Sequence, residues 1–337
     1  MKKLLCLLAC LLLLTGCAAH VELNMMAVCL GVDAGEAGVG LTVRAPDYTG
    51  SPQEGQDGYL TLSADGATWE QAVDALYAQA PAALQFGQLR EVAVSRAAFE
   101  RMPPERLLRL IDQLPGIRSH ALVTVCPGAA REYVGAMKPK VGKRLSKYLD
   151  ITLAHAETEG RIPATSLSCA VRDLSGHWRD PILAWTAGGG YALGTAAGGQ
   201  LTGSQVQLFR LIRGEKQNYR LLWQGRACGV SPRGAAQLTV ETENGQDTLR
   251  LYLPVTLTYS VYEDPPAPGA EEALRGEVEE LLKALQAFGC DALGFGCQAV
   301  RGYATLPEWL NSDWPRRYRQ AAARVELDVL LRQEAER

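Results

Sequence analysis

Histidine is scarce in this chain, with four in 337 residues, and His20, His120, His155 and His177 have no second ligand at metal spacing. HExxH and GxSxG are absent, which removes the zinc-protease and nucleophile-elbow arrangements. There is no CxxC pair, so neither a zinc ribbon nor a dithiol redox motif is built. Past residue 17 no uninterrupted apolar stretch approaches 18 residues, the length that marks a membrane-spanning helix. A basic face is missing too: the net charge is −3, which argues against a nucleic-acid partner. No catalytic residues, cofactor or metal are expected from these absences.

What is present begins at the N-terminus. Lys2 and Lys3 precede an unbroken apolar run from Leu4 to Leu14, followed by Leu14-Thr15-Gly16-Cys17. A charged start, a short apolar core and small residues before a cysteine describe a lipoprotein export signal, with residues 1–16 removed and Cys17 as the lipid attachment site. Eleven apolar residues are too few to cross a bilayer core as a helix, which takes about 20. A diacylglycerol thioether would hold the chain to membrane lipid through its buried methylenes, and two chains give stable anchoring. Of nine cysteines, Cys6 and Cys10 fall in the signal. Cys29, Cys126, Cys169, Cys228, Cys290 and Cys297 remain, scattered through expected strands and helices as small buried hydrophobes. Cys290 and Cys297 are the only close pair, and a disulfide between them is open outside the cytoplasm.

The remaining length suits two or three domains, and the pattern predicts an α+β protein of three consecutive domains, each a mostly antiparallel or mixed sheet with helices packed on it. The first covers 17–140. Its strands run over 25–33 and 39–45 around a turn at 34–38, then over 59–63 and 89–95, with a loop at 46–57. Thr68 and Gln71 form a capping box for a helix that places Trp69, Val73, Leu76 and Tyr77 on one face. A helix at 105–114 and a strand at 120–126 complete it. A small middle domain, 141–215, holds a helix at about 143–157, a glycine-rich hairpin between 188 and 203, and a helix at 204–213. No Lys-Ser or Lys-Thr follows Gly203, so the glycines read as turns rather than a phosphate loop. The third domain, 216–337, has strands at 219–228, 236–243 and 249–262, with Asn244-Gly245 as the strongest hairpin signal in the chain. After Pro265, Pro266 and Pro268, an amphipathic helix covers 271–288 with Leu274, Val278, Leu281, Leu282 and Leu285 on one face. A terminal strand alternates Val325, Leu327, Val329 and Leu331 with polar residues, giving one buried and one wet face.

Two stretches invite a functional reading. Lys138, Lys140, Lys143, Arg144 and Lys147 form a basic cluster that anionic headgroups would attract, although a solvated helix face explains such runs more often. The segment Gly289-Cys290-Asp291-Ala292-Leu293-Gly294-Phe295-Gly296, with Trp309 and Trp314 downstream, packs an acid, glycines and large aromatics into a short span. Asp291, Gly294, Gly296, Trp309 and Trp314 are candidates for partner contact, because large aromatics anchor interfaces. A glycine-capped helix end with aromatics covering a core edge is the plainer reading.

Taken together, these features resemble the Ger(x)C lipoproteins, the C subunits of nutrient germinant receptors of spore-forming bacteria. The resemblance rests on the lipobox followed by Glu22-Leu23-Asn24 and the strand from Ala27 to Asp33, on Thr68 to Leu76 leading to Gln85-Phe86-Gly87-Gln88-Leu89-Arg90, and on the hairpin between Tyr191 and Gly203. It is strongest over Asp291 to Gly296, Trp309, Trp314 and the closing strand. Ala18-Ala19-His20 stands where the family usually has Trp-Asp after the lipidated cysteine. The resemblance implies a non-enzymatic lipoprotein on the outer surface of the spore inner membrane, acting in germination with integral membrane A and B subunits. It also implies three α+β domains and no cofactor. The alternative is a solute-binding lipoprotein of a transporter, which calls for two lobes of alternating strands and helices rather than strands clustered near the C-terminus.

Overall fold

The computed structural model describes residues 24–35, 38–47, 58–142, 144–194, 198–259 and 269–333. The expected signal peptide, Cys17, Lys143, the three prolines at 265, 266 and 268, and nearly all of the expected loop at 46–57 lie outside these residues.

The first part of the chain forms β1 (Asn24–Met26), β2 (Cys29–Ala34), β3 (Val39–Pro46), β4 (Tyr59–Gly66), α1 (Trp69–Gln79), β5 (Ala83–Gln85), β6 (Glu91–Ser95), α2 (Arg96–Arg101), α3 (Pro104–Asp112) and β7 (Leu122–Cys126). It continues with α4 (Ala130–Ala136), α5 (Leu145–Thr158), α6 (Leu167–Ser175), β8 (Ile182–Trp185), β9 (Gly190–Ala192), β10 (Gly199–Leu201) and α7 (Gly203–Ile212). Eight of these strands make one sheet in the order β10-β9-β8-β7-β6-β2-β3-β4. The four central strands are parallel and the outer ones antiparallel. Every residue of β6, Glu-Val-Ala-Val-Ser, is buried, as expected of a parallel strand covered on both faces. Leu76, Leu107, Leu108, Ile111 and Leu167 of α1, α3 and α6 fill one face of the sheet, and Ala130, Val134, Leu145 and Leu149 of α4 and α5 cover the other. Thr68 begins α1 as read from the sequence, its hydroxyl accepting from the Gln71 amide at 3.3 Å.

The α+β class is as expected, but the sheets divide differently from the sequence boundaries. The described residues of 141–215 have no sheet of their own. β8 runs parallel to β7, with Thr124 opposite Ala184 and Val125 opposite Trp185, so β8, β9 and β10 extend the first sheet. Strands of three or four residues make too few pairs to stand alone. Helix α7 instead turns Val206, Leu208, Phe209, Leu211 and Ile212 into the core of the C-terminal part. The middle segment is thus a bridge between two cores.

The C-terminal part has β11 (Tyr219–Trp223), β12 (Arg226–Pro232), β13 (Gln237–Glu243), β14 (Gln246–Tyr259), α8 (Gly269–Phe288), α9 (Gly296–Ala299), α10 (Leu306–Asn311), α11 (Trp314–Gln320) and β15 (Ala322–Gln333). Strand β14 is the spine of a five-stranded sheet: β12 and β13 pair with it antiparallel and β15 runs parallel to it. Asn244 and Gly245, at φ of 50° and 78°, make the expected tight turn. The single strand expected over 219–228 is two strands, reversed at Gln224 and Gly225 with φ of 48° and 76°. Gln-Gly takes the same left-handed pair of conformations as Asn-Gly without its compositional signal. Helix α8 packs Leu274, Val278, Leu281, Leu282 and Leu285 onto the sheet, the face read from its periodicity. Strand β15 keeps the expected alternation only in part: Val325, Leu327 and Val329 are half-buried, but so is Asp328, and Leu331, expected on the buried face, is exposed.

Candidate functional site

Helix α8 ends at Phe288, and Gly289, at φ 66°, turns the chain back into the core. Asp291 follows, buried, and its carboxylate is the hub of the turn that runs to Gly296. One oxygen accepts the backbone amides of Gly294 and Phe295 at 3.0 and 2.9 Å. The other accepts the Gly296 amide at 2.6 Å and the Trp314 indole N–H at 3.0 Å. Four donors on one carboxylate fix the turn that opens α9 and draw α11 onto it.

The two glycines serve this turn by different means. Gly294 sits at φ 91°, a conformation closed to residues with a Cβ. Gly296 has an ordinary φ, but a Cβ there would lie 2.5 Å from the Trp178 carbonyl oxygen and 2.8 Å from the Trp314 indole nitrogen. Gly296→Val is accordingly expected to cost about 1–3 kcal/mol through overpacking, read as a lower urea midpoint of the purified chain. A midpoint equal to that of the unsubstituted chain would show that the close approach is not maintained.

The same hub reaches back more than 100 residues. The Asp180 carboxylate accepts the Asp291 amide at 2.8 Å, and the Asp180 amide donates to the Asp291 carbonyl at 3.2 Å. Burial pushes both carboxyls up. In Asp291 the four donors pull against that shift, whereas Asp180 has a single backbone donor and lies beside the charge of Asp291; its carboxyl is raised to about 7. The negative charge of the pair therefore rests on Asp291, and Asp180 holds its proton into the neutral range.

Around this pair the aromatics form a continuous array. Trp309 and Trp314 have ring centroids 5.7 Å apart, Trp314 and Tyr318 6.0 Å, and Tyr303 lies edge-on to Trp309 at 5.5 Å. The Trp309 indole donates to the His177 carbonyl at 3.3 Å. Arg317 stacks over Trp314 at 5.7 Å and binds both oxygens of Asp247 at 2.8 Å. Asp291, Gly294, Gly296, Trp309 and Trp314, the five residues singled out from the sequence, are thus brought together, and all are buried. They lie against the segment 177–181 that follows α6. A cleft of about 370 Å³ opens beside them between α3, the end of α6 and α10–α11. Its lip carries Trp178 and Leu310 at 40% and 49% exposure.

Asp180 and Trp178 were not legible as members of this site. Their neighbourhood, Trp-Arg-Asp-Pro, reads as an ordinary loop, and nothing local announces a partner so far along the chain. A second buried polar group was also missed. Glu91 is enclosed within the first sheet, raised by burial, and takes a 2.9 Å hydrogen bond from the Tyr133 hydroxyl; a glutamate opening a strand looks like a surface residue. Lys138, Lys140, Arg144 and Lys147 of the basic cluster are exposed around the α4–α5 connection. Cys290 and Cys297 are free thiols.

Among the described residues no group of three or more His, Cys, Asp or Glu could hold a metal ion. No helix among them is long and apolar enough to cross a membrane. Residues 20–186 match the family described as spore germination protein N-terminal domain. Residues 268–334 match the one described as spore germination B3/GerAC like, C-terminal. No protein with a curated description matches the chain. The crystal structure of the GerBC protein is similar in fold, with a TM-score of 0.53 at 12% sequence identity, over 90% of this chain and 96% of that one.

Proposed function

Since the chain belongs to the GerAC-like spore germination protein family, with its N-terminal and C-terminal domains in order, we propose that it is the non-enzymatic C-type subunit of a spore nutrient germinant receptor. The family match at both ends carries this reading. In this role the protein is held by a diacylated Cys17 on the outer surface of the spore inner membrane and works with integral membrane A and B subunits. The lipobox supports the anchor. Asn24, where the described fold starts, is seven positions beyond Cys17, a reach of at most about 25 Å for extended chain. The receptor unit therefore stands at the headgroups rather than on a long stalk. Burial of Asp291, Trp309 and Trp314 supports an internal role for them, fixing the C-terminal part against residues 177–181, so that contact with the membrane subunits falls to surface residues.

Cys17→Ala is expected to abolish labelling by a palmitate analogue in the native host, to release the protein from the membrane fraction, and to impair the germination response. Undiminished label would remove Cys17 as the attachment site. Loss of label with a full germination response, and no co-purification of the unsubstituted protein with two polytopic subunits, would sink the receptor reading itself.

A further inference from the structure

The long strand β15 is paired on one side only among the described strands. β15 is paired with β14 along its whole length, from Ala322 opposite Thr248 to Gln333 opposite Tyr259. On its other side no strand pairs with it among the described residues. Natural edge strands are usually blunted by a proline, a bulge, short length or charged side chains, and of these β15 has only the charges. β15 has twelve residues, Ala-Ala-Arg-Val-Glu-Leu-Asp-Val-Leu-Leu-Arg-Gln, with no proline or glycine. Leu330 and Leu331 are both about half exposed. An edge of this kind is a template for another strand.

The charges along it indicate which strand. Arg324, Glu326, Asp328 and Arg332 share the face away from α8. Asp328 is satisfied within the chain by the Tyr252 hydroxyl at 2.9 Å and by Arg233. Arg324, Glu326 and Arg332 are exposed and make no ion pair among the described residues. When β15 is laid antiparallel against itself about Val329, Glu326 faces Arg332 and Arg332 faces Glu326. Leu327 then meets Leu331 twice, and Val329 meets itself. Centring on Leu327 instead sets Glu326 against Asp328, and centring on Asp328 sets Arg324 against Arg332. Only the register about Val329 among these three pairs Glu326 with Arg332 without a like-charge contact among the described residues.

We propose that β15 is the interface between two copies of this chain, paired antiparallel about Val329 so that two five-stranded sheets become one across a two-fold axis. The contact is isologous and closes on itself, so it yields a dimer rather than a fibre. In an antiparallel pair corresponding faces look the same way, which puts both α8 helices on one side and both open sheet faces on the other. The proposal does not depend on the receptor reading.

The test uses the full-length chain in detergent. Val329→Cys brings two symmetry-related cysteines to Cα separations of about 4.5 to 5.5 Å, inside the disulfide range of about 4.4 to 6.8 Å. Mild oxidation is expected to give a covalent dimer. Glu326→Cys, which faces Arg332 rather than itself, is expected to give none beyond that of the unsubstituted chain. In sedimentation, Glu326→Arg and Arg332→Glu are each expected to weaken association about tenfold, since two symmetry-related pairs turn from attractive to repulsive. The combined exchange restores it. Both positions are exposed, and unchanged circular dichroism confirms that the fold survives. A monomer at every concentration, equal cross-linking at 326 and 329, or an exchange variant no tighter than the single reversals would each overturn the proposal.

Discussion

Asp291→Ala is expected to lower the stability of the chain by about 4 kcal/mol or more, a large part of the ~5–15 kcal/mol that holds a typical domain together. The substitution removes one acceptor group and strands four donors: the amides of Gly294, Phe295 and Gly296 and the indole of Trp314. Each buried donor left without a partner costs about 1–3 kcal/mol. Asp291→Asn is expected to fall between the two. Its carbonyl oxygen keeps the pair of contacts on one side, while its amide group, a donor, faces donors on the other. Urea denaturation of the three proteins gives the ranking Asp, Asn, Ala from most to least stable. Equal stability of the Asp and Ala forms would mean that the carboxylate does not organise this turn.

Asp180→Asn is expected to do the reverse at neutral pH, raising stability and flattening its pH dependence. In the unfolded chain the Asp180 carboxyl ionises in the ordinary range near 3.9; in the fold, burial raises it to about 7. Between those values the native state holds a proton that the unfolded state has released, so stability falls as pH rises through the window from about 4 to 7. At about 1.36 kcal/mol per unit, the full penalty above pH 7 is on the order of 4 kcal/mol. Asparagine cannot ionise, and its carbonyl oxygen still accepts the Asp291 amide. The variant should match the unsubstituted chain near pH 4 and exceed it above pH 7. Parallel stability profiles from pH 4 to 8 would show that Asp180 does not carry this penalty.

The sequence was most readable where a local rule operates alone. Thr68 with Gln71 marked the start of α1, Asn244-Gly245 marked the turn into β14, and the spacing of Leu274, Val278, Leu281, Leu282 and Leu285 marked the buried face of α8. It was least readable where strands separated along the chain had to be assigned to a sheet. Ile182 to Trp185 is a short apolar run whose neighbour, β7, lies more than fifty residues earlier, and no local feature records that pairing. The candidate site divides the same way. The composition of 289–296 and of 309–314 marked one half of it, since glycines and tryptophans in so short a span are uncommon. The other half, Trp178 and Asp180, is an unremarkable loop until folding brings it against Asp291. Glu91 went unseen because burial of a carboxyl is a property of the tertiary neighbourhood.

The parallel pairing of β15 with β14 also determines when the molecule becomes whole. β14 is the centre of the C-terminal sheet, yet the strand that completes one of its sides is the last one in the described chain, arriving only after four helices have intervened. Long-range pairings of this kind close late, because the loop between the strands must be ordered before any ladder bond is gained. As the chain is made from its N-terminal end, the eight-stranded sheet has all its strands well before the five-stranded one does. Without β15 the central strand of the second sheet would keep β12 and β13 but lose its partner along the other side, so the segment farthest along the described chain is a closing element rather than an expendable one.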